Sequence, residues 1–245
     1  MTRYDSDQIN DLFVANARDL TPSSVLHAAQ LLYVPVSNDS EVTNLCGSVL
    51  SDAEIQRAER FVLARDSALF KQRRAFRRFC GALALGSSQH LSQIEFEETE
   101  NGRPHLSGLP GVWFSFSSCR FGFLGAWSST HAIGVDLEDQ TRGLDAVALA
   151  QKFFSAAETR AVEHPGGLAS LRAFFRLWTL KEAALKSIGE GLSFGLDAFG
   201  FELDPHLRVV YAPPDHGGQE QFDAHTIETD KGVDSCAALV IRSLA

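Results

Sequence analysis

No apolar run in the 245 residues approaches the length needed to cross a bilayer. The segment Met1 to Asn16 carries three Asp and one Arg and lacks an apolar stretch, so it does not read as a secretory signal. Cysteine is sparse: Cys46, Cys80, Cys119 and Cys236 are scattered and form no CxxC pair. That excludes a disulfide framework and a zinc-ligand spacing, and points to free thiols in the cytoplasm. Low-complexity tracts and exact repeats are absent. With 44% hydrophobic and 22% charged residues, the composition is that of a globular chain large enough for one domain or two small ones.

Positive charge is also scarce. A net charge of −9 disfavours nucleic acid as a partner. Yet eight of the 22 basic residues, Arg57, Arg60, Arg65, Lys71, Arg73, Arg74, Arg77 and Arg78, share one short segment. Either this is a solvated helix face or it meets a small polyanion such as a phosphate-bearing ligand.

Residues 1–28 read as a polar, partly helical extension. Leu31 to Val36 reads as a strand. Ser51-Asp52-Ala53-Glu54 fits a capping box opening a helix that runs, with a break near Asp66, to about Leu85. Leu69, Phe76, Cys80 and Leu83 mark its apolar stripe. After the turn at Asn101-Gly102-Arg103-Pro104, three strands with short links predict an antiparallel meander ending at Ala132 to Glu138. Ser155 to Glu158 fits a second capping box. A long helix runs from about Ala169 to Ile188 and stops at Gly189, and further strands are predicted at Phe199 to Leu203, Leu207 to Tyr211 and Cys236 to Ile241. Helix followed by strands occurs twice, so the reading is an α+β fold in two halves, residues 29–130 and 131–245.

Strand side chains alternate between faces. In Ala132 to Glu138, Ile133, Val135 and Leu137 share the face assigned to the core, while Asp136 and Glu138 share the other. Two carboxylates so placed repel unless a positive charge sits between them. Mg²⁺ suits such oxygen ligands, and the alternative is a solvated acidic strand end. On the long helix, Leu171, Phe174, Phe175, Trp178 and Leu185 form an apolar stripe with Glu182 near its middle. A carboxylate there needs a cation, a basic partner or a raised pKa. Glu182 either pairs with Lys186 one turn on or completes a metal site with Asp136 and Glu138.

These words in this order, Leu50-Ser51-Asp52-Ala53-Glu54, Arg57 to Phe61, Asn101 to Pro104, Gly134-Val135-Asp136-Leu137-Glu138, Phe153 to Glu158, Trp178 to Lys186 and Gly189 to Leu192, resemble the 4′-phosphopantetheinyl transferases. The likeness is to the larger class, which serves polyketide and non-ribosomal peptide synthases, and covers Leu31 to the C-terminus. It implies two α+β halves related by a pseudo-twofold axis, with coenzyme A in the cleft between them, in one monomeric chain. The implied activity is of the holo-acyl-carrier-protein synthase type. It moves the phosphopantetheine arm of coenzyme A to a serine of an acyl- or peptidyl-carrier protein.

The resemblance maps metal ligands onto Asp136, Glu138 and Glu182, and a phosphate-contacting lysine onto Lys186. It maps nucleotide contacts onto Gly102, Arg103 and Pro104, and a phosphate segment onto Ser117, Ser118 and Cys119. Glu182 would accept the serine proton, directly or through water, and Lys186 would stabilise charge on the bridging oxygen. A glutamate at the position of Glu158 sometimes lies near the metal in this family, but the capping box explains Glu158 sufficiently. His131 reads as a loop histidine.

The chain departs from the family where Phe-Asn-x-Ser-His-Ser is usual. It has Phe114-Ser115-Phe116-Ser117-Ser118-Cys119, with Ser118 in place of the histidine that helps hold the 3′-phosphate. Serine is uncharged and the weaker phosphate partner. The 3′-phosphate is then held by Lys71, Arg73 or Arg74, or selection for it has weakened. A non-catalytic carrier-binding module with the same fold is the competing reading.

Overall fold

The computed structural model describes residues 6–86, 90–229 and 234–244, so the first five residues of the predicted extension lie outside the described residues. Helix α1 (Ser6–Asn16) and strands β1 (Arg18–Asp19) and β2 (Gln30–Pro35) precede helices α2 (Ser40–Gly47), α3 (Asp52–Glu59) and α4 (Ala64–Leu85). Strands β3 (Phe96–Glu98), β4 (Pro104–Leu106), β5 (Trp113–Cys119), β6 (Gly122–Ser128) and β7 (His131–Asp139) follow. Helices α5 (Ala146–Phe153), α6 (Ala156–Glu163) and α7 (Gly167–Ile188) lead to β8 (Gly200–Glu202), β9 (Arg208–Tyr211), β10 (Phe222–Ile227) and β11 (Ser235–Ser243). The fold is α+β.

One antiparallel sheet has the order β1-β2-β6-β5 and a second has β10-β11-β7. The predicted meander breaks here. β5 pairs with β6, with Ser117 opposite Leu124, but β7 pairs with β11, with Asp136 opposite Ala238. Burial explains the switch. Ile133, Val135 and Leu137 form a common core with Leu31, Tyr33, Leu124 and Ala126 of the first sheet. β2 already occupies the other edge of β6, and packing sheet on sheet covers an apolar face of each.

Each sheet is backed by a 22-residue helix. Phe76, Phe79 and Cys80 of α4 pack with Phe114 and Phe123, while Phe174, Leu177 and Leu180 of α7 pack with Ala238 and Val240. The layers are therefore α4, first sheet, second sheet, α7. Gly134 permits the last contact: a Cβ there would stand 1.9 Å from the Ala183 carbonyl oxygen and 2.6 Å from the Ser187 nitrogen. Both are backbone atoms and cannot swing aside. Gly134→Ala is expected to destabilise the fold by about 3 kcal/mol, read as a lower urea midpoint with unchanged slope.

Sequence and structure differ at the first helices. The break falls after Glu59, and Asp66 lies inside the first turn of α4. Leu83 is 44% exposed, whereas Phe79 and Ala82 are buried. The stretch read as an extension packs into the first core: Ile9 and Phe13 are buried, and the Phe13 ring stacks 5.0 Å from that of Phe79. Two apolar residues four apart give α1 a stripe wide enough to dock.

Candidate active site

Alternation along β7 puts Asp136 and Glu138 beside α7, which crosses at Gly134. Lys186, in the last turn of α7, donates from Nζ to Asp136 Oδ1 at 2.8 Å and to the Val135 carbonyl oxygen at 3.0 Å. Ser117 Oγ at the end of β5 donates to the same Oδ1 at 2.9 Å. Lys186 is thus committed to Asp136, not to the Glu182 one turn before it. Gly189 closes α7 in the left-handed conformation at φ 77°, and its N–H bonds back to Leu185 and Lys186.

Asp136 is 4% exposed, and its Oδ2 is buried without a hydrogen-bond partner. A buried carboxylate oxygen left unpaired is costly, so this atom asks for a ligand. Glu182 reports the same need. Burial, then the charge of Asp136, pushes its carboxyl up to about 7, against the pull of Lys186, and Glu138 adds to the rise. Glu138 is also raised, by burial first and then Asp136, although Arg142 donates to its Oε2 at 2.7 Å. Among the described residues no group of three His, Cys, Asp or Glu stands close enough to hold a metal ion as arranged. Asp136 and Glu138 instead engage Lys186 and Arg142. The donor set nevertheless fits a hard divalent cation, because Asp136 Oδ2 is free and a positive charge would relieve all three carboxylates.

A stability prediction follows from Glu182. Its folded-state pKa of about 7 exceeds the ordinary 4.5. The folded protein therefore binds the proton more tightly, and the penalty for ionisation grows from pH 4.5 and is complete above 7. In metal-free protein, Glu182→Gln is expected to raise the melting temperature by a few degrees at pH 8 and to leave it unchanged below pH 4.5. Equal shifts at both pH values would remove the buried charge as the cause.

A cavity of about 120 Å³ adjoins Lys186 and is lined by Gly102, Arg103, Pro104, Arg77, Phe116 and Gly189. Gly102 takes φ 78° in the predicted turn, which joins β3 to β4. The Arg103 guanidinium stacks on the Trp113 ring at 3.9 Å, and Asn101 Nδ2 reaches Glu190 Oε1 at 3.4 Å. The structure thus brings Gly102, Arg103 and Pro104 beside Lys186.

The predicted phosphate segment is divided. Ser117 faces Asp136, while Cys119 lies against the core between the sheets and accepts from the Phe121 N–H at 3.4 Å. Ser118 shares the parity of Phe114 and Phe116, which face α4.

Sequence reasoning missed Arg77. Burial, then Arg74 and Arg73, pulls its guanidinium down to about 10, and its Nε is buried without a partner. Its place among eight clustered basic residues was visible, but not its orientation. Lys71 lies elsewhere on α4, its Cδ 3.6 Å from where a Gly47 Cβ would be. Arg74 and Arg78 both reach Glu54, with Arg78 Nη2 at 2.6 Å from Oε2.

Glu158 has a structural job. It closes the capping box with Ser155 and accepts from the Phe201 N–H at 2.9 Å. It also pairs at 2.9 Å with Lys181, whose side chain is fully buried and also donates to the carbonyls of Leu196 and Phe199. Trp178 packs in the second core beside Phe154 and Phe174. His131 begins β7.

Residues 132–239 match the family model described as the 4′-phosphopantetheinyl transferase superfamily. The chain is 32% identical over 126 residues to the 4′-phosphopantetheinyl transferase psf-1 of Bacillus pumilus, covering 51% of this chain and 53% of that protein. It is 32% identical over 173 residues to slr0495 of Synechocystis sp., provisionally named a 4′-phosphopantetheinyl transferase, covering 69% and 68%. With the 4′-phosphopantetheinyl transferase HetI of Nostoc sp. it shares 30% over 158 residues, or 63% and 65%. The chain thus spans about half to two thirds of the length of the curated relatives it matches.

Proposed function

The chain belongs to the 4′-phosphopantetheinyl transferase superfamily, and from that premise we propose that it transfers the phosphopantetheine arm of coenzyme A to a serine of an acyl- or peptidyl-carrier protein. The observation that carries this reading is Asp136, buried with one oxygen held by Lys186 and Ser117 and the other unpaired. Asp136, Glu138 and Glu182 would hold Mg²⁺, which neutralises pyrophosphate charge when bound.

The side chains then divide the work. Glu182, directly or through water, takes the proton of the carrier serine as its oxygen forms a bond to the β-phosphorus. Lys186 sits beside Asp136, where its ammonium balances charge growing on the bridging oxygen as that bond to phosphorus breaks. Adenosine 3′,5′-bisphosphate departs. Arg103, braced by Trp113, and the Gly102 turn receive the nucleotide. Arg77, half-buried and 3.5 Å from Glu98, lines the same cavity and adds a positive charge for its phosphates.

Intact mass of an apo carrier protein after incubation with this protein, coenzyme A and Mg²⁺ tests the proposal. A gain of one phosphopantetheine is expected. No gain across acyl- and peptidyl-carriers, with a known transferase succeeding in parallel, would overturn it.

A further inference from the structure

Resting on the transfer reading, we propose that the turn Phe61-Val62-Leu63, with the groove beside it, docks the carrier protein. The segment it takes presents apolar side chains flanked by carboxylates.

The turn joins α3 to α4 and holds three successive apolar residues in the open. Val62 is 96% exposed, Leu63 47% and Phe61 37%. Clustered apolar exposure marks contact surfaces more often than scattered single residues do. The Phe61 ring lies 5.6 Å from that of Phe70, but helix capping gives no reason for the exposed run. Helices α2, α3, α5 and α6 begin at Asp39, Ser51, Asp145 and Ser155, whose side chains accept from backbone N–H groups. Helix α4 begins at Leu63, which provides no side-chain cap. An apolar residue stands where a polar one would stabilise the helix.

Beside the turn lies a groove of about 480 Å³ between α2, the first turns of α4 and the β5–β6 turn. Its wall runs from Ala64, next to Leu63, past Leu69 and Gln72 to Arg120. Arg120 bonds Asp139 at 2.8 Å, three residues beyond Asp136 on β7. The groove therefore ends beside the strand that carries the site's carboxylates, and a protein seated there is near the reacting centre.

Charge selects the partner. Arg57, Arg60 and Arg65 are exposed around the turn; Arg57 stands over the Phe70 ring at 5.5 Å, and among the described residues Arg65 alone of the three has a close carboxylate, Asp66 at 3.6 Å. Such a patch on a chain of net charge −9 gives an acidic segment one favourable place to land. A second copy of this chain is the competing occupant.

The test uses apo carrier domains of both types whose acceptor serine is replaced by alanine, so that binding is read without turnover. Titration calorimetry compares the full wild-type chain, Val62→Asp, and Arg60→Glu with Arg65→Glu. Val62→Asp should weaken binding by about tenfold or more at unchanged melting temperature, because the side chain is solvated. The charge variant should weaken binding at low salt, far less at high salt, and regain it with a carrier whose docking carboxylates are lysines.

Absence of wild-type binding, or binding indifferent to Val62→Asp, would overturn the proposal. So would a wild-type dimer that Val62→Asp converts to monomer in sedimentation. Transfer to the unaltered carriers separates the two readings. A wild type that transfers, with a Val62→Asp variant unchanged in KM for the carrier, sinks the docking surface alone. A wild type that transfers nothing sinks the transferase.

Discussion

Asp136→Asn protein is expected to lose carrier modification by about a thousandfold or more in kcat/KM, while melting close to wild type in the absence of metal. The amide oxygen still accepts from Lys186 and Ser117, which hold Oδ1 at 2.8 and 2.9 Å, so the local fold has its hydrogen bonds. What disappears is the charge, and with it the unpaired Oδ2 that invites a cation. Lys186 also loses its ionic partner and shifts toward Glu182. A second readout needs no turnover: Mg²⁺ should raise the melting temperature of wild-type protein and leave that of Asp136→Asn unmoved. Near-normal turnover by the variant would place the chemistry away from β7.

The largest stability effect is expected at Glu158. Its carboxylate is the counter-ion of Lys181, whose side chain is wholly inaccessible. Burial holds the Lys181 ammonium below its ordinary pKa, and Glu158 opposes that shift. Glu158→Gln keeps an oxygen for only one of the Ser155 and Phe201 N–H groups and leaves a buried charge with only carbonyl partners. The expected cost is about 4 kcal/mol, since breaking one side of a buried pair exceeds what the pair is worth. In a chain of this size that is about 10 °C in melting temperature. Adding Lys181→Met removes the orphaned charge and should recover most of the loss. If Glu158→Gln alone were neutral by urea denaturation, the pair would be dispensable, and a role for Glu158 nearer the metal would regain interest.

Local patterns carried much of the site. The alternation Ile133-Gly134-Val135-Asp136-Leu137-Glu138 is enough to separate core from carboxylates, and Gly189 marks the end of α7. Both capping boxes form as read. Contacts between distant segments were not legible. A link as short as that from Ser128 to His131 gives no sign that β7 changes sheets. Nor does helical spacing tell which neighbour Lys186 prefers, because Glu182 lies one turn away while Asp136 is 50 residues away. Lys181 sits one residue from Glu182 and is the more deeply buried, since from Thr179 to Ile188 every residue of α7 except Glu182 and Lys186 is buried. Strand β10 escaped because Asp223 and His225 interrupt its apolar residues, and only Phe222 and Ile227 are buried.

The edge position of β7 has a consequence for dissection of the molecule. One side of β7 bonds β11; on the other, the Val135 N–H is met by Ser115 Oγ of β5 at 3.0 Å. Among the described residues, the apolar face of β7 and β11 is covered by residues from the chain before it, such as Leu31, Tyr33 and Leu124. A fragment cut to residues 132–239, the stretch the family model recognises, would carry every carboxylate of the site yet offer a bare strand edge and an uncovered sheet. Such a fragment should stick to copies of itself. For this chain, the matched stretch is smaller than the unit expected to stay monomeric.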